Sequence, residues 1–284
     1  MVNQELFVKF LRVYAFQPAT AFWRAVEVDV LRRFIPSTGH CLDLGCGDGK
    51  LTSIVFDGTI REGLSLVGID GDEYETRLAP QSFSYTRVHT CWASDIPEPS
   101  DSFDHVISNS VLEHIQDIEA TVEEVARLLK RGGTFLFTVP SPGFHHCLYG
   151  SLNPRVPREA YLQEIDKRLT HYRYWSVTQW QDLLARHNLI VQDHVEYFHC
   201  KEVRRWESIS RFTAGILYAM TRGKHTPMEL QKKSGLRRAQ GRLVLPHWLA
   251  GWLAMLLSAG IKNTPTGTQN ACLLIVACKQ EKGG

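Results

Sequence analysis

The chain has no charge excess of either sign. Its 32 lysines and arginines stand against 30 aspartates and glutamates, a formal net charge of +2 over 284 residues. A balance this even gives no whole-chain case for nucleic-acid binding, so partners have to be sought in local stretches. Paired cysteine motifs are missing too. Cys41, Cys46, Cys91, Cys147, Cys200, Cys272 and Cys278 are odd in number and scattered, without a Cys-x-x-Cys pair. That pattern argues against a disulfide framework or a zinc site and for reduced thiols in a cytoplasmic protein. No group of His, Asp and Glu has metal-ligand spacing, so no metal is expected. Met1 to Gln17 mixes charged with apolar residues and lacks the uninterrupted apolar core of a signal peptide, so export by that route is not expected.

What is present is an alternation of element types. Apolar residues at helical spacing predict helices over Glu5 to Phe16 and Ala19 to Ile35, separated by Pro18 and ended by Pro36. Their expected role is packing on a sheet. Strands are predicted at His40 to Leu44, Leu64 to Ile69, Tyr85 to Trp92, Phe103 to Ser108, Thr134 to Val139 and Leu189 to Val195, with helices at Lys50 to Phe56, Ile118 to Leu129 and Ser176 to His187. A last strand, Ala271 to Ala277, follows only after a connection far longer than ordinary. Regular alternation implies a parallel sheet covered on both faces, with ligands beyond the carboxyl ends of its strands. Pro140 to Tyr174 reads as an irregular segment rich in aromatics and histidines, placed to cover such a site.

The chemistry centres on His40 to Lys50, where an apolar strand runs into Gly45, Gly47 and Gly49 with acids at Asp43 and Asp48. Glycines there admit positive φ and let a ligand approach bare main chain. A dinucleotide fingerprint needs a third glycine where Lys50 stands, and a P-loop needs Ser or Thr where Leu51 stands, so neither pattern fits.

The D-x-G-x-G-x-G form resembles the first motif of the class I S-adenosylmethionine-dependent methyltransferases, in their small-molecule, UbiE-like branch. Three later stretches agree in order: Val67 to Asp70, Ile96 to His114 and Leu128 to Pro140. The resemblance implies an α/β fold with a Rossmann-like seven-stranded, mostly parallel sheet and helices on both faces; this sequence adds the two N-terminal helices and, where the family usually has a short connection, a helical insertion before the last strand. It also implies S-adenosyl-L-methionine as cofactor. Asp43 and the main chain of Gly45, Cys46 and Gly47 would hold the methionine end, with Asp48 and Gly49 also in the cofactor-binding turn. Asp70, with Gly71, would hold the ribose, and Asn109 would lie beside the pocket. The family commonly has Asp-Ala where this chain has Trp92-Ala93. Either Asp95 takes over the bond to the adenine amino group, or Trp92 packs on the base; the alternative for Trp92 is plain core.

Methyl transfer to a hydroxyl benefits from a general base. His145 and His146, close behind the fifth strand, are the first candidates, followed by His114; His171 and Tyr172 lie in the same covering segment. The insertion from His199 to Thr268 is basic, with lysines and arginines from Lys201 to Arg242 outnumbering Glu202, Glu207 and Glu229. It carries two apolar stretches, Phe212 to Met220 and the uncharged Leu243 to Ile261. By length the second is a membrane-span candidate, but a final strand returning to the same sheet excludes a single crossing. Contact with an anionic bilayer surface, a lid and a dimer-forming subdomain all stay open.

The expected organisation is an N-terminal helical cap over 1–36, a cofactor-binding core over 37–198 with 140–175 covering the acceptor, the insertion over 199–268, and the final strand and tail over 269–284. The expected activity is methylation, on an oxygen, of a small or lipid-linked acceptor in the cytoplasm. A membrane-surface methyltransferase acting on a quinone or lipid-linked sugar, at the inner face of a membrane, is the first alternative. A non-catalytic cofactor-binding module on the same fold is the second.

Overall fold

The computed structural model describes residues 2–213, 244–261 and 270–280. They fall into two compact units. The sheet unit comprises Val30–Pro142, Tyr172–Tyr197 and Cys272–Gly284, and the helical unit Met1–Asp29, Gly143–His171 and Phe198–Ala271.

In the sheet unit seven strands are arranged in the order β3-β2-β1-β4-β5-β7-β6. They are β1 (Gly39–Leu44), β2 (Leu64–Asp70), β3 (Arg87–Thr90), β4 (Phe103–Asn109), β5 (Leu129–Pro140), β6 (Leu189–His199) and β7 (Asn270–Lys279). The first five pair in parallel, and β7 lies antiparallel on β5. From β1 the chain builds outward through β2 and β3, then crosses back to lay β4 against the other side of β1. The gap beyond the ends of β1 and β4 is therefore the topological switch point of the sheet, where ligands of such folds bind. Leu44 is in register with Ile69 on one side and Ser108 on the other, so the turns that follow these three strands leave the sheet at one level.

The helices of this unit are α3 (Lys50–Val55), α4 (Glu73–Ser82), α5 (Ile118–Leu128) and α8 (Val177–Arg186). Their caps agree with their sequences: the side chains of Asp72, Asp117 and Ser176 accept from the first turns of α4, α5 and α8, and Gln179 completes a capping box with Ser176. Ile118, Val122, Val125 and Leu128 of α5 and Trp180, Leu183 and Leu184 of α8 bury one core with Leu42, Val106, Phe135 and Phe137. Each such side chain contributes roughly 1.5–3 kcal/mol by leaving water. Strand β5 starts at Leu129, earlier than expected, and Gly132 and Gly133 fall where its pairing with β4 shifts register between Phe103 and His105.

The helical unit gathers three segments distant in sequence. They supply α1 (Gln4–Val13) and most of α2 (Pro18–Leu31), then α6 (Gly143–Cys147) and α7 (Arg158–Leu169), then α9 (Cys200–Phe212) and α10 (His247–Ser258). Trp23 of α2 is its aromatic centre, with ring centroids 4.6 Å from Phe198 and 5.5 Å from both Phe144 and Trp206. Beside it the buried Glu207 accepts from the amides of Tyr149 (2.7 Å) and Gly150 (3.2 Å) and the hydroxyl of Tyr161 (2.6 Å), and pairs with Arg211 (3.0 Å). A carboxylate so enclosed has to be fully bonded to be tolerated.

Three expectations are corrected here. Pro140 to Tyr174 is not irregular throughout, because it contains α6 and α7; in α7 only Tyr161 and Ile165 are buried, so its inward stripe is narrow. Two of the seven cysteines are not reduced: Cys147 and Cys200 form a disulfide, with Cα atoms 4.6 Å apart. A separation of 53 residues hides that pairing from local spacing, and with it formed, cysteine usage no longer points to a reducing compartment. Within Leu243 to Ile261 the described helix has only 12 residues, since Pro246 caps its start and the chain turns at Ala259 and Gly260. No described helix is long and apolar enough to cross a membrane. Most of the other apolar stretch, Phe212 to Met220, and the basic residues from Arg222 to Arg242 lie outside the described residues.

Candidate active site

The turn after β1 is held from both sides. The amides of Gly45 and Cys46 both donate to the carbonyl of Ile69 at the end of β2 (2.9 and 2.8 Å), and that of Gly49 closes back on Cys46 (3.0 Å). All three glycines have positive φ, at 83°, 52° and 73°. Two of them also have no room for a side chain: a Cβ on Gly45 would lie 2.3 Å from Val111, and one on Gly49 2.8 Å from the carbonyl of Ala79. Gly47 differs, because a Cβ there would meet nothing within 4 Å. The turn is packed at its two ends and open in the middle.

Two acids brace it. Asp43 is only 6 % exposed, and its Oδ2 accepts from Thr52 Oγ1 and Tyr85 Oη, both at 2.6 Å. Burial pushes its pKa up to about 6, against the lowering effect of those two hydrogen bonds. Burial likewise raises the Tyr85 phenol and the Cys46 thiol. Asp48 is buried beside the turn and pairs with Lys50, 2.9 Å from its Nζ. Sequence reading missed Thr52 and Tyr85; nothing in their spacing marks them.

Asp70, at the last position of β2, accepts from the amide of Gly47 on Oδ2 (3.0 Å) and that of Asp72 on Oδ1 (2.9 Å). One carboxylate thus sits against the open middle of the turn. A Cβ on Gly71 would lie 3.2 Å from the ring of Trp92, so the indole lies beside the same loop. Trp92 is 75 % exposed, which rules out the plain-core alternative. Ala93 is half-buried on the core edge and Asp95 is exposed, its amide bonded to the Trp92 carbonyl (3.1 Å).

At the end of β4, Asn109 accepts from Thr138 Oγ1 (3.1 Å), and the next residue, Ser110, takes a positive φ of 51° that turns the chain into Val111 and the short helical turn Leu112–His114. Glu113 is buried and His114 exposed. Tyr172 donates from its amide to the Glu113 carbonyl (2.9 Å), while the buried Arg173 caps the carbonyls of Leu112 and Gln116. Burial lowers the guanidinium pKa, opposed by the charge of Glu113. Arg173 is a second brace that sequence reading missed.

The sheet unit contains Asp43, Gly45, Cys46, Gly47, Asp48, Gly49, Asp70, Gly71, Trp92, Ala93, Asp95, Asn109 and His114, and contacts join the glycine turn to Asp70 and Gly71 to Trp92. His145 and His146 belong to the helical unit. There His145 is half-buried with its Nε2 2.8 Å from Asp166 Oδ1, whereas His146 is exposed.

The family described as a methyltransferase domain matches residues 20–194, more than half of the chain. The chain belongs to the class I S-adenosylmethionine-dependent methyltransferases. Among curated relatives, the uncharacterized methyltransferase YcgJ of Bacillus subtilis is 25 % identical over 205 residues, 68 % of this chain and 74 % of that protein. The mitochondrial ubiquinone biosynthesis O-methyltransferase of Homo sapiens is 31 % identical over 105 residues, 34 % of this chain and 27 % of that protein. Beyond YcgJ, matches to seven curated relatives cover about half or less of the length of those proteins. In fold it is similar to the crystal structure of a putative sarcosine dimethylglycine methyltransferase from Galdieria sulphuraria, with a TM-score of 0.52 at 16 % identity, covering 92 % of this chain and 84 % of that one.

The residues of the methyltransferase fit the cofactor that its family implies. An open glycine turn admits a close-lying amino-acid end, a carboxylate at the end of β2 suits a diol, and an exposed indole beside Gly71 offers a flat apolar face for a base.

Proposed function

We propose that this methyltransferase moves a methyl group from S-adenosyl-L-methionine to an oxygen of a small or lipid-linked acceptor. The cofactor would supply an electrophilic methyl on a sulfonium. The main chain around Gly47 would take its methionine end, Asp70 its ribose and Trp92 its adenine, while Asp43 acts through the turn that it braces. Displacement at a methyl carbon needs alignment above all, and a rigidly held turn serves that need.

The observation that carries the choice of oxygen is the His145–Asp166 pair. A carboxylate on one ring nitrogen orients the imidazole, and an oriented imidazole offers the general base that a hydroxyl nucleophile needs and a preformed amine does not. The ubiquinone O-methyltransferases among the relatives support the same reading. The exposed apolar face of α10 favours a second reading, methylation of a quinone or lipid-linked sugar at the inner face of a membrane.

Incubation with methyl-labelled cofactor and fractionated extract tests the proposal by asking whether label enters lipid, sugar or protein. With the labelled acceptor in hand, His145→Gln should lower kcat by about 10²–10⁴ with the cofactor Kd unchanged. Undiminished turnover would remove His145 as the base. Cofactor binding without transfer to any fraction would favour the non-catalytic module.

A further inference from the structure

Helix α10 of the helical unit carries an exposed apolar face that binding of the cofactor does not use. Its small residues Ala250 and Ala254 are fully buried, and it packs against α1. Trp248, Trp252, Met255 and Leu256 recur at intervals of four, three and one, which places them on one stripe. All four are exposed, Trp248 by 74 % and Met255 by 64 %. In a water-facing helix this stripe would be polar. Here the pattern is inverted, with small residues inside and large apolar ones outside.

The helix is held in that attitude. Arg12 of α1 donates to the Leu245 carbonyl just before it (3.3 Å), Arg205 of α9 to the Ala259 carbonyl just after it (2.6 Å), and Gln4 to Ser258 Oγ (2.8 Å). From Leu243 to Ile261 the sequence has no Asp, Glu, Lys or Arg. A guanidinium nevertheless stands at each end of the helix, and the sequence leading to it, Lys201 to Arg242, is strongly basic. At 1.5 Å per residue the 12 residues span about 18 Å. A bilayer core is about 30 Å thick. The helix can therefore lie in a membrane interface and cannot cross it.

We propose that the Trp248, Trp252, Met255 and Leu256 face is a docking surface for an anionic phospholipid bilayer. Indole rings favour the headgroup boundary, and the cations at both ends match anionic headgroups. A protein partner would ordinarily meet a mixed apolar and polar rim. A flat apolar stripe with cationic ends suits a bilayer, which is apolar in depth and anionic at its surface. The surface is independent of which acceptor is methylated.

The test is sedimentation of the full chain with vesicles of phosphatidylcholine alone and of phosphatidylcholine with phosphatidylserine, alongside the variant Trp248→Ser/Trp252→Ser. The expected result is binding to the anionic vesicles that weakens at high salt and falls at least tenfold in the variant. Both indoles are exposed, so the variant should keep the wild-type circular dichroism and cofactor affinity; that readout separates loss of docking from loss of fold or of the proposed activity. No vesicle binding by the wild type, equal binding to both vesicle types, or equal binding by the variant would overturn the proposal. So would a monomer–dimer equilibrium that the variant abolishes, because it would give the face to a second copy of the chain.

Discussion

At the scale of single residues, Asp43 shows how a motif position can differ from its apparent duty. Its place in the glycine motif implies a ligand contact, but the side chain is buried, bonded to Thr52 and Tyr85, and its pKa is raised from 3.8 to about 6 by burial. The folded state therefore holds a proton that the unfolded chain releases between these values. Stability from this group is full below about pH 4 and is lost as pH rises through 6, an effect on the order of 3 kcal/mol for a shift of about two units. Asp104 works the other way: its carboxyl is held low by the His40 amide and by Lys130, and its contribution is lost as pH falls. The comparison that isolates Asp43 is thus wild type against Asp43→Asn. Urea midpoints should show the wild type losing ground to the variant between pH 4 and pH 7, whereas parallel profiles would contradict the buried titration.

At the scale of elements, the β1–α3 turn separates two jobs that look identical in sequence. Gly45 and Gly47 have the same spacing and the same sign of φ, yet only Gly45 is sterically closed. Gly45→Ala forces a methyl into Val111 and should destabilise the fold by about 2–4 kcal/mol, as read by urea unfolding. Gly47→Ala meets open space and should cost only about 1–2 kcal/mol for its left-handed φ, while weakening cofactor binding at least tenfold. Equal stability loss with unchanged affinity would contradict the open middle of the turn. Such elements explain what is legible in advance. The strand ends, the glycine turn and Asp70 are local patterns, readable from a dozen residues. The exposure of Trp92, and the hydrogen bonds of Tyr85 and Arg173 to distant main chain or carboxylate, depend on packing between segments that spacing does not encode.

At the scale of the whole molecule, the parallel sheet follows from alternation of strand and helix, whereas its strand order, and with it the switch point between β1 and β4, is read from the structure. The helical unit is less legible. Its three segments are joined by the Cys147–Cys200 disulfide, the Glu207 network and the ring cluster around Trp23, all of them contacts across dozens of residues. Read one by one, the segments look like a cap, a covering segment and an insertion; the structure makes them one body. The inverted face of α10 is visible only once its buried side is known, because an evenly apolar helix gives no periodicity.

Asp70 is the residue proposed to join the glycine turn to the cofactor. Isothermal titration calorimetry of S-adenosyl-L-methionine against the wild type and Asp70→Ala measures this directly. Loss of charge-assisted hydrogen bonds worth about 1.5–3 kcal/mol each, together with release of the Gly47 amide, should weaken binding by roughly 10²-fold or more. Near-normal affinity in a folded Asp70→Ala protein would contradict it.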